Sequence, residues 1–141
     1  MPPETLFPAA NMLAMAGWAA LLVAPRNRIV TRHLAGLGIP ALLSAAYAAL
    51  FALHAPGAEG GFSSLAGVRA LFADDGVLLA GWLHYLAFDL FLGACTCRRG
   101  AAEGMNPWLL RLRLPPTFLL GPVGLLLFLG LRTTIVREAR A

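Results

Sequence analysis

The chain has 141 residues, of which 59% are hydrophobic and only 13% charged, with a mean hydropathy of +0.73. An ordinary soluble domain carries about 25% charged residues, so the shortage, together with long uncharged runs, places the chain in the membrane class. All 11 basic residues are arginines, and they sit in short clusters beside apolar runs. That is the pattern of topology signals and headgroup contacts rather than of a nucleic-acid-binding domain.

The N-terminus, Met1-Pro2-Pro3-Glu4, has no positive region and carries an acid, so the first apolar run is expected to be retained rather than cleaved as a signal peptide. Apolar segments of about spanning length are expected over residues 6–24, 34–53, 77–96 and 114–131. Short connections make successive spans antiparallel, and the expected fold is all-α: an integral membrane four-helix bundle forming a single domain over residues 1–141, with short interfacial helices in its connections.

Small residues are dense in the first two runs, from Ala9 to Gly17 and from Ala41 to Ala49, which predicts close packing of helices one and two. Pro40 and Pro122 are expected to kink the second and fourth spans. In the second connection, Ser63 and Ser64 precede Leu65, Val68 and Phe72 at helical spacing, which predicts a short surface helix behind a serine cap. In the third, Asn106-Pro107 reads as an N-cap followed by proline at the first helical position, with Trp108 at headgroup level. Cys95 and Cys97, two apart on a helix, do not share a face; they read as small embedded residues rather than a disulfide or a metal site.

The arginines give an orientation. The first connection holds Arg26, Arg28 and Arg32 and the third holds Arg98, Arg99, Arg111 and Arg113, whereas the second holds only Arg69. The positive-inside rule then predicts both termini outside, in a multi-pass protein of the bacterial inner membrane. Arg132, Arg137 and Arg140 at the C-terminal end argue the other way.

The third run carries the chemistry. Within Trp82-Leu83-His84-Tyr85-Leu86-Ala87-Phe88-Asp89-Leu90-Phe91, Asp89 is the one acid inside a span, at an insertion cost of about 2.5 to 3.5 kcal/mol or more. A neutral carboxylic acid in an apolar pocket is a proton donor, as a general acid must be. His84 lies five residues away, about 7.5 Å along a helix and about 140° around it, so the two cannot form a dyad. Tyr85, four residues before Asp89, is the expected hydrogen-bond partner, with Asn11 a second. The catalytic candidates are therefore Asp89, His84 and Tyr85. An apolar ligand would be lined by Trp18, Tyr47, Trp82, Phe88, Phe91, Asn11, Gly121 and Pro122. The same residues would also serve as ordinary core and helix-to-helix glue. One acid and one histidine are too few for a metal site, and no cofactor motif is present. The expected partners are the lipid bilayer, an apolar ligand, and a homo-oligomer or another membrane protein.

Two motifs carry a resemblance. His84-Tyr85-Leu86-Ala87-Phe88-Asp89-Leu90-Phe91-Leu92-Gly93 and Thr117-Phe118-Leu119-Leu120-Gly121-Pro122-Val123-Gly124-Leu125-Leu126, with Trp18, Pro25-Arg26 and Tyr47 upstream, resemble the abscisic acid-deficient 4-like family. Its plant members are small chloroplast membrane proteins required to form neoxanthin from violaxanthin. The resemblance implies a carotenoid or isoprenoid ligand and a redox-neutral isomerisation, the opening of an epoxide to an allenic alcohol by an acid and a base. Ala94-Cys95-Thr96-Cys97-Arg98-Arg99 lacks the tryptophan and acidic residues of plant-like members, which with the lysine-free composition points to a bacterial type. The alternatives from the residues themselves are a non-catalytic membrane subunit or scaffold, and a small proton-linked transporter.

Overall fold

A computed structural model describes residues 3–138 of the chain, with side chains described as far as Arg132. All regular structure among these residues is helical. Helix α1 spans Pro3–Val23, a π-helical lead-in spans Ile29–Gly38 and continues into α2, Ile39–His54, and α4 spans Asp75–Ala102. These three continuous stretches are long and apolar enough to cross a membrane. Between them and after them lie short helices: α3 over Leu65–Leu71, α5 over Pro107–Leu112, and α6 over Leu114–Leu119, followed by α7 over Gly121–Glu138.

Each start has a local cause. Asn27 Oδ1 accepts from the backbone N–H of Ile29 (2.8 Å) and Val30 (3.2 Å), supplying the acceptor that a helix N-terminus lacks. Ser64 and Asn106 cap α3 and α5 as the sequence predicts, accepting from Gly67 N at 3.0 Å and Trp108 N at 2.9 Å. Asp74 Oδ1 accepts from Gly76 N (2.9 Å) and Val77 N (3.0 Å). These two amides, Val77's foremost, hold its carboxyl below the usual carboxylate range. Pro40 does not break its helix. The wider π turns run up to it, ending with Ile39 N donating to Leu34 O, and the chain continues as an α-helix.

Helix α4 is the centre of the molecule. Its Leu79, Ala80, Leu83, Leu86, Ala87, Leu90 and Ala94 lie in the core with Ala14, Trp18 and Leu21 of α1 and Leu43 and Leu50 of α2. The expected packing of the first two spans is present, with Gly17 of α1 against Ile39 at the start of α2, while α2 packs chiefly on α4 and α1 packs on α4 as well. Burying leucine gives no gain over lipid tails, so the fit depends on small residues. Gly93, for instance, admits the ring of Trp18, whose Cη2 would stand 2.8 Å from a Cβ there. Helices α1 and α4 run parallel, since Trp82 meets Asn11 while Gly93 meets Trp18. α2 is antiparallel to them: His54 pairs with Asp74 at 3.1 Å, and Arg98 donates to the Thr31 carbonyl.

The fourth apolar run departs from expectation. It breaks at Leu120, whose φ of −145° and ψ of 71° are not helical, and the chain turns back. Phe118 and Leu119 lie beside Tyr85 in the middle of α4, and Gly121 lies against Asp89. By contrast, Phe128 covers Arg113, and Arg132 reaches Glu103 just past the end of α4. Gly124 sits against Thr117, where a Cβ would collide with the side chain. Helices α6 and α7 thus form a helical hairpin, its tip at mid-height and both its legs opening at one end. Its apolar part after the tip, Gly121–Arg132, is shorter than a span. Proline at position 122 takes the first turn of α7, where its missing N–H leaves no bond unmade.

This corrects the expected topology. The N-terminus of α1 and the described end of α7 lie at opposite ends of the bundle. Arg26, Arg28, Arg32, Arg98, Arg99, Arg111, Arg113 and Arg132 all gather at one end, and Arg69 stands at the other. The conflict between the connections and the tail disappears for Arg132; the side chain of Arg137 and all of Arg140 lie outside the described residues.

Candidate functional site

Tyr85 and Asp89, one helical turn apart on α4, bracket the break in the hairpin. The Tyr85 hydroxyl lies 2.8 Å from the Phe118 carbonyl and 3.2 Å from the Leu119 carbonyl. These are orphan acceptors at the C-terminal end of α6, left open because Leu120 is extended. Asp89 occupies the other side of the break. It is 9% exposed, and Gly121 is so close that a Cβ there would overlap Oδ1. Its Oδ2 is buried and has no hydrogen-bond partner among the described residues. A carboxyl at the N-terminal end of α7 faces the positive end of that helix's dipole. One residue thus serves the carbonyl end of one short helix, and the other lies at the amide end of the next.

Above this pair, towards the start of α1 and α4, a groove of about 1130 Å³ opens between the two helices, walled by Phe7, Phe72, Leu78, Leu79, Trp82 and Tyr85. Glu4 and Asp75 stand at the same end. A second hollow of about 260 Å³ shares Trp82 and Tyr85 and continues along Asn11, Met15 and Leu86 to Phe118 and Leu119. Trp82 is held in place by three contacts: its Nε1 donates to Asn11 Oδ1 at 3.0 Å, and its ring lies 5.8 Å from that of Phe7 and 5.3 Å from that of Tyr85. Tyr85 is therefore the ionisable residue that faces both hollows, and Asp89 stands one turn behind it.

The expected site residues divide. Tyr85, Trp82 and Asn11 come together in the groove wall, and Asp89, Gly121 and Pro122 meet at the hairpin tip. Tyr85 and Asp89 interact side chain to side chain, as expected, although the close bonds of the tyrosine hydroxyl go to the hairpin carbonyls. Asn11 bonds to Trp82 and to the Phe7 carbonyl rather than to Asp89. His84 makes no hydrogen bond to either group among the described residues, and its link to Asp89 is electrostatic alone. It is exposed, stacked 4.5 Å from the Phe88 ring and 5.7 Å from Tyr47, on the face where Phe88 and Phe91 line a separate hollow with Pro40 and Ser44. Trp18 is core, edge-on to Phe118 at 5.5 Å, and backs a hollow beside α6 with Met15 and Pro115.

Phe7, Phe72 and Leu78 were not legible as site residues. Phe72 lies over Gly81, where a Cβ would come within 2.5 Å of its ring, so the one sequence signal for it was the missing side chain at Gly81. Among the described residues no group of three or more His, Cys, Asp or Glu could hold a metal ion.

No curated protein and no solved structure matches the chain. The sequence profile described as ABA DEFICIENT 4-like matches residues 5–128, which takes in all three apolar spans, the groove and the hairpin tip. The resemblance of the two motifs around Asp89 and Gly121 is thereby established at the level of the family: this chain belongs to the ABA DEFICIENT 4-like family.

Proposed function

We propose that this chain is an integral membrane protein that holds an apolar ligand of the carotenoid or isoprenoid class in the groove between α1 and α4, and isomerises it by acid–base chemistry at Tyr85 and Asp89. The observation that carries the reading is the groove itself. Its walls are aromatic and aliphatic, its volume suits a long ligand, and it continues past Tyr85 to the hairpin tip.

An epoxide opened to an allenic alcohol gains a proton on oxygen and loses one from the adjacent polyene carbon, so the reaction is redox-neutral and needs one donor and one acceptor. Tyr85 is the group placed to touch the ligand. Asp89, with an unpartnered Oδ2 behind it, is the group placed to exchange a proton with Tyr85. His84 takes no part in this scheme. In a bacterial inner membrane the arginine-rich end would face the cytoplasm, with the N-terminus of α1 outside.

The same geometry favours a second reading, in which Tyr85 and Asp89 only brace the hairpin. Expression in a carotenoid-producing bacterium, with pigment analysis of membranes and purified protein, separates the two. The catalytic reading predicts a product in wild type that is absent from Asp89→Asn and Tyr85→Phe while both variants still retain pigment. Unchanged pigment profiles together with lowered thermal stability would leave the bracing role alone.

A further inference from the structure

At the end of the bundle opposite the groove, a cavity of about 420 Å³ is lined by Arg26, Arg28, Arg32 and Arg98, with Pro25 and Thr31. Among the described residues none of these four arginines forms an ion pair, in contrast to Arg99 and Arg132, which share Glu103. Arg98 is nevertheless fixed in place. Its guanidinium donates to the Thr31 carbonyl and, through Nη2, to Cys95 Sγ at 3.0 Å. Gly36 leaves the room it needs, since a Cβ there would crowd both Arg98 and the Thr31 carbonyl. A cation held by neutral acceptors, with three more around one hollow and no acid in its wall, lacks an anion.

The surroundings identify the kind of anion. Val23 and Ile29, 77% and 70% exposed, flank the arginine segment in sequence at the ends of two apolar spans. A soluble ion has no use for such residues, whereas a lipid has acyl chains to lay on them. From this combination we propose that the cavity is a binding site for the phosphate of an anionic membrane lipid, held by Arg98 from α4 and by the arginines between α1 and α2. The site is independent of the ligand groove.

Each arginine near a membrane surface contributes about 1 kcal/mol to attraction of anionic lipid, so each one removed should weaken retention about fivefold. The test is native mass spectrometry of the full chain released from bilayers of phosphatidylcholine with a minor fraction of phosphatidylglycerol. Wild type should retain phosphatidylglycerol selectively. The double variant Arg28→Gln/Arg32→Gln, whose side chains are exposed and make no bond among the described residues, should lower that retention by more than tenfold. Arg69→Gln, the same charge change at the other end of the bundle, should leave it unchanged, and Gly36→Ala should lower it by displacing Arg98. Equal loss from Arg69→Gln would show a general charge effect and overturn the proposal. Equal retention of phosphatidylcholine would overturn it too, as would displacement of the lipid by millimolar inorganic phosphate, which would make the site one for a soluble anion.

Discussion

Helix α4 presents two polar faces that differ in almost every respect. On one, Tyr85 and Asp89 are covered by the hairpin and meet the ends of two helices, with Trp82 extending the face into the groove. On the other, His84 stacks on Phe88 and Tyr47 in the open and touches no backbone end. Both faces come from one ten-residue stretch of sequence, and both contain an ionisable residue surrounded by aromatics. The difference teaches that cost in the bilayer alone does not make a site. What distinguishes Asp89 is that a second element approaches it, and that this element is broken at the point of approach.

The comparison breaks most visibly at the hairpin tip. Gly121→Val would set side-chain atoms onto Asp89 and should cost about 3 kcal/mol, the upper end of overpacking effects, together with pigment retention; thermal unfolding in detergent measures the first and absorbance the second. A variant as stable as wild type would mean that the tip does not seat on Asp89. Next in size is Tyr85→Phe, which leaves two hairpin carbonyls without a donor. A loss of about 1 kcal/mol is expected, in the range of hydrogen bonds between membrane helices. His84→Phe, by contrast, should stay within about 0.5 kcal/mol, as for exposed substitutions generally, and should leave pigment composition alone. A large effect there would erase the distinction between the faces.

A smaller effect concerns the base of the hairpin. Glu103 accepts from Arg99 Nε at 2.6 Å and Arg132 Nε at 2.8 Å, and these guanidinium bonds, Arg99's first, hold its carboxyl below the usual range. With the folded value depressed, the contribution is present above the ordinary carboxylate range, near 4.5, and disappears as pH falls through the lower folded value. Melting followed from pH 7 down to pH 3 should therefore show an acid-sensitive component that Glu103→Gln removes and salt weakens.

Much of this was readable in the sequence. Hydropathy located the three long helices, Ser64 and Asn106 announced two short ones, and the five-residue spacing separated His84 from Asp89. The hairpin was not readable from hydropathy, because its turn lies at mid-height of the bundle and presents an apolar surface outward. Leu119, Leu120 and Val123 continue the apolar run through the reversal, and the polar groups that turn residues would supply come instead from Tyr85 and Asp89. The signals that did exist were Gly121-Pro122 and the unexplained Arg132, whose charge made sense only once the chain had turned back. Arg113 shows the same blindness. As a residue of a connection it reads as exposed, yet the returning leg covers it to 2% exposure with Phe128 4.8 Å from its guanidinium.

The proposed function turns on whether the groove beside Trp82 and Tyr85, and not the hollow beside His84, receives the ligand. The most direct measurement is bound pigment per protein, by absorbance of samples purified from a carotenoid-producing host, for two matched groove-filling variants. Leu78→Trp fills the first hollow and Leu37→Trp the second; both positions are exposed leucines. With the ligand in the groove, Leu78→Trp loses the pigment and Leu37→Trp keeps it; the opposite pattern, or equal retention by both, would rule that placement out.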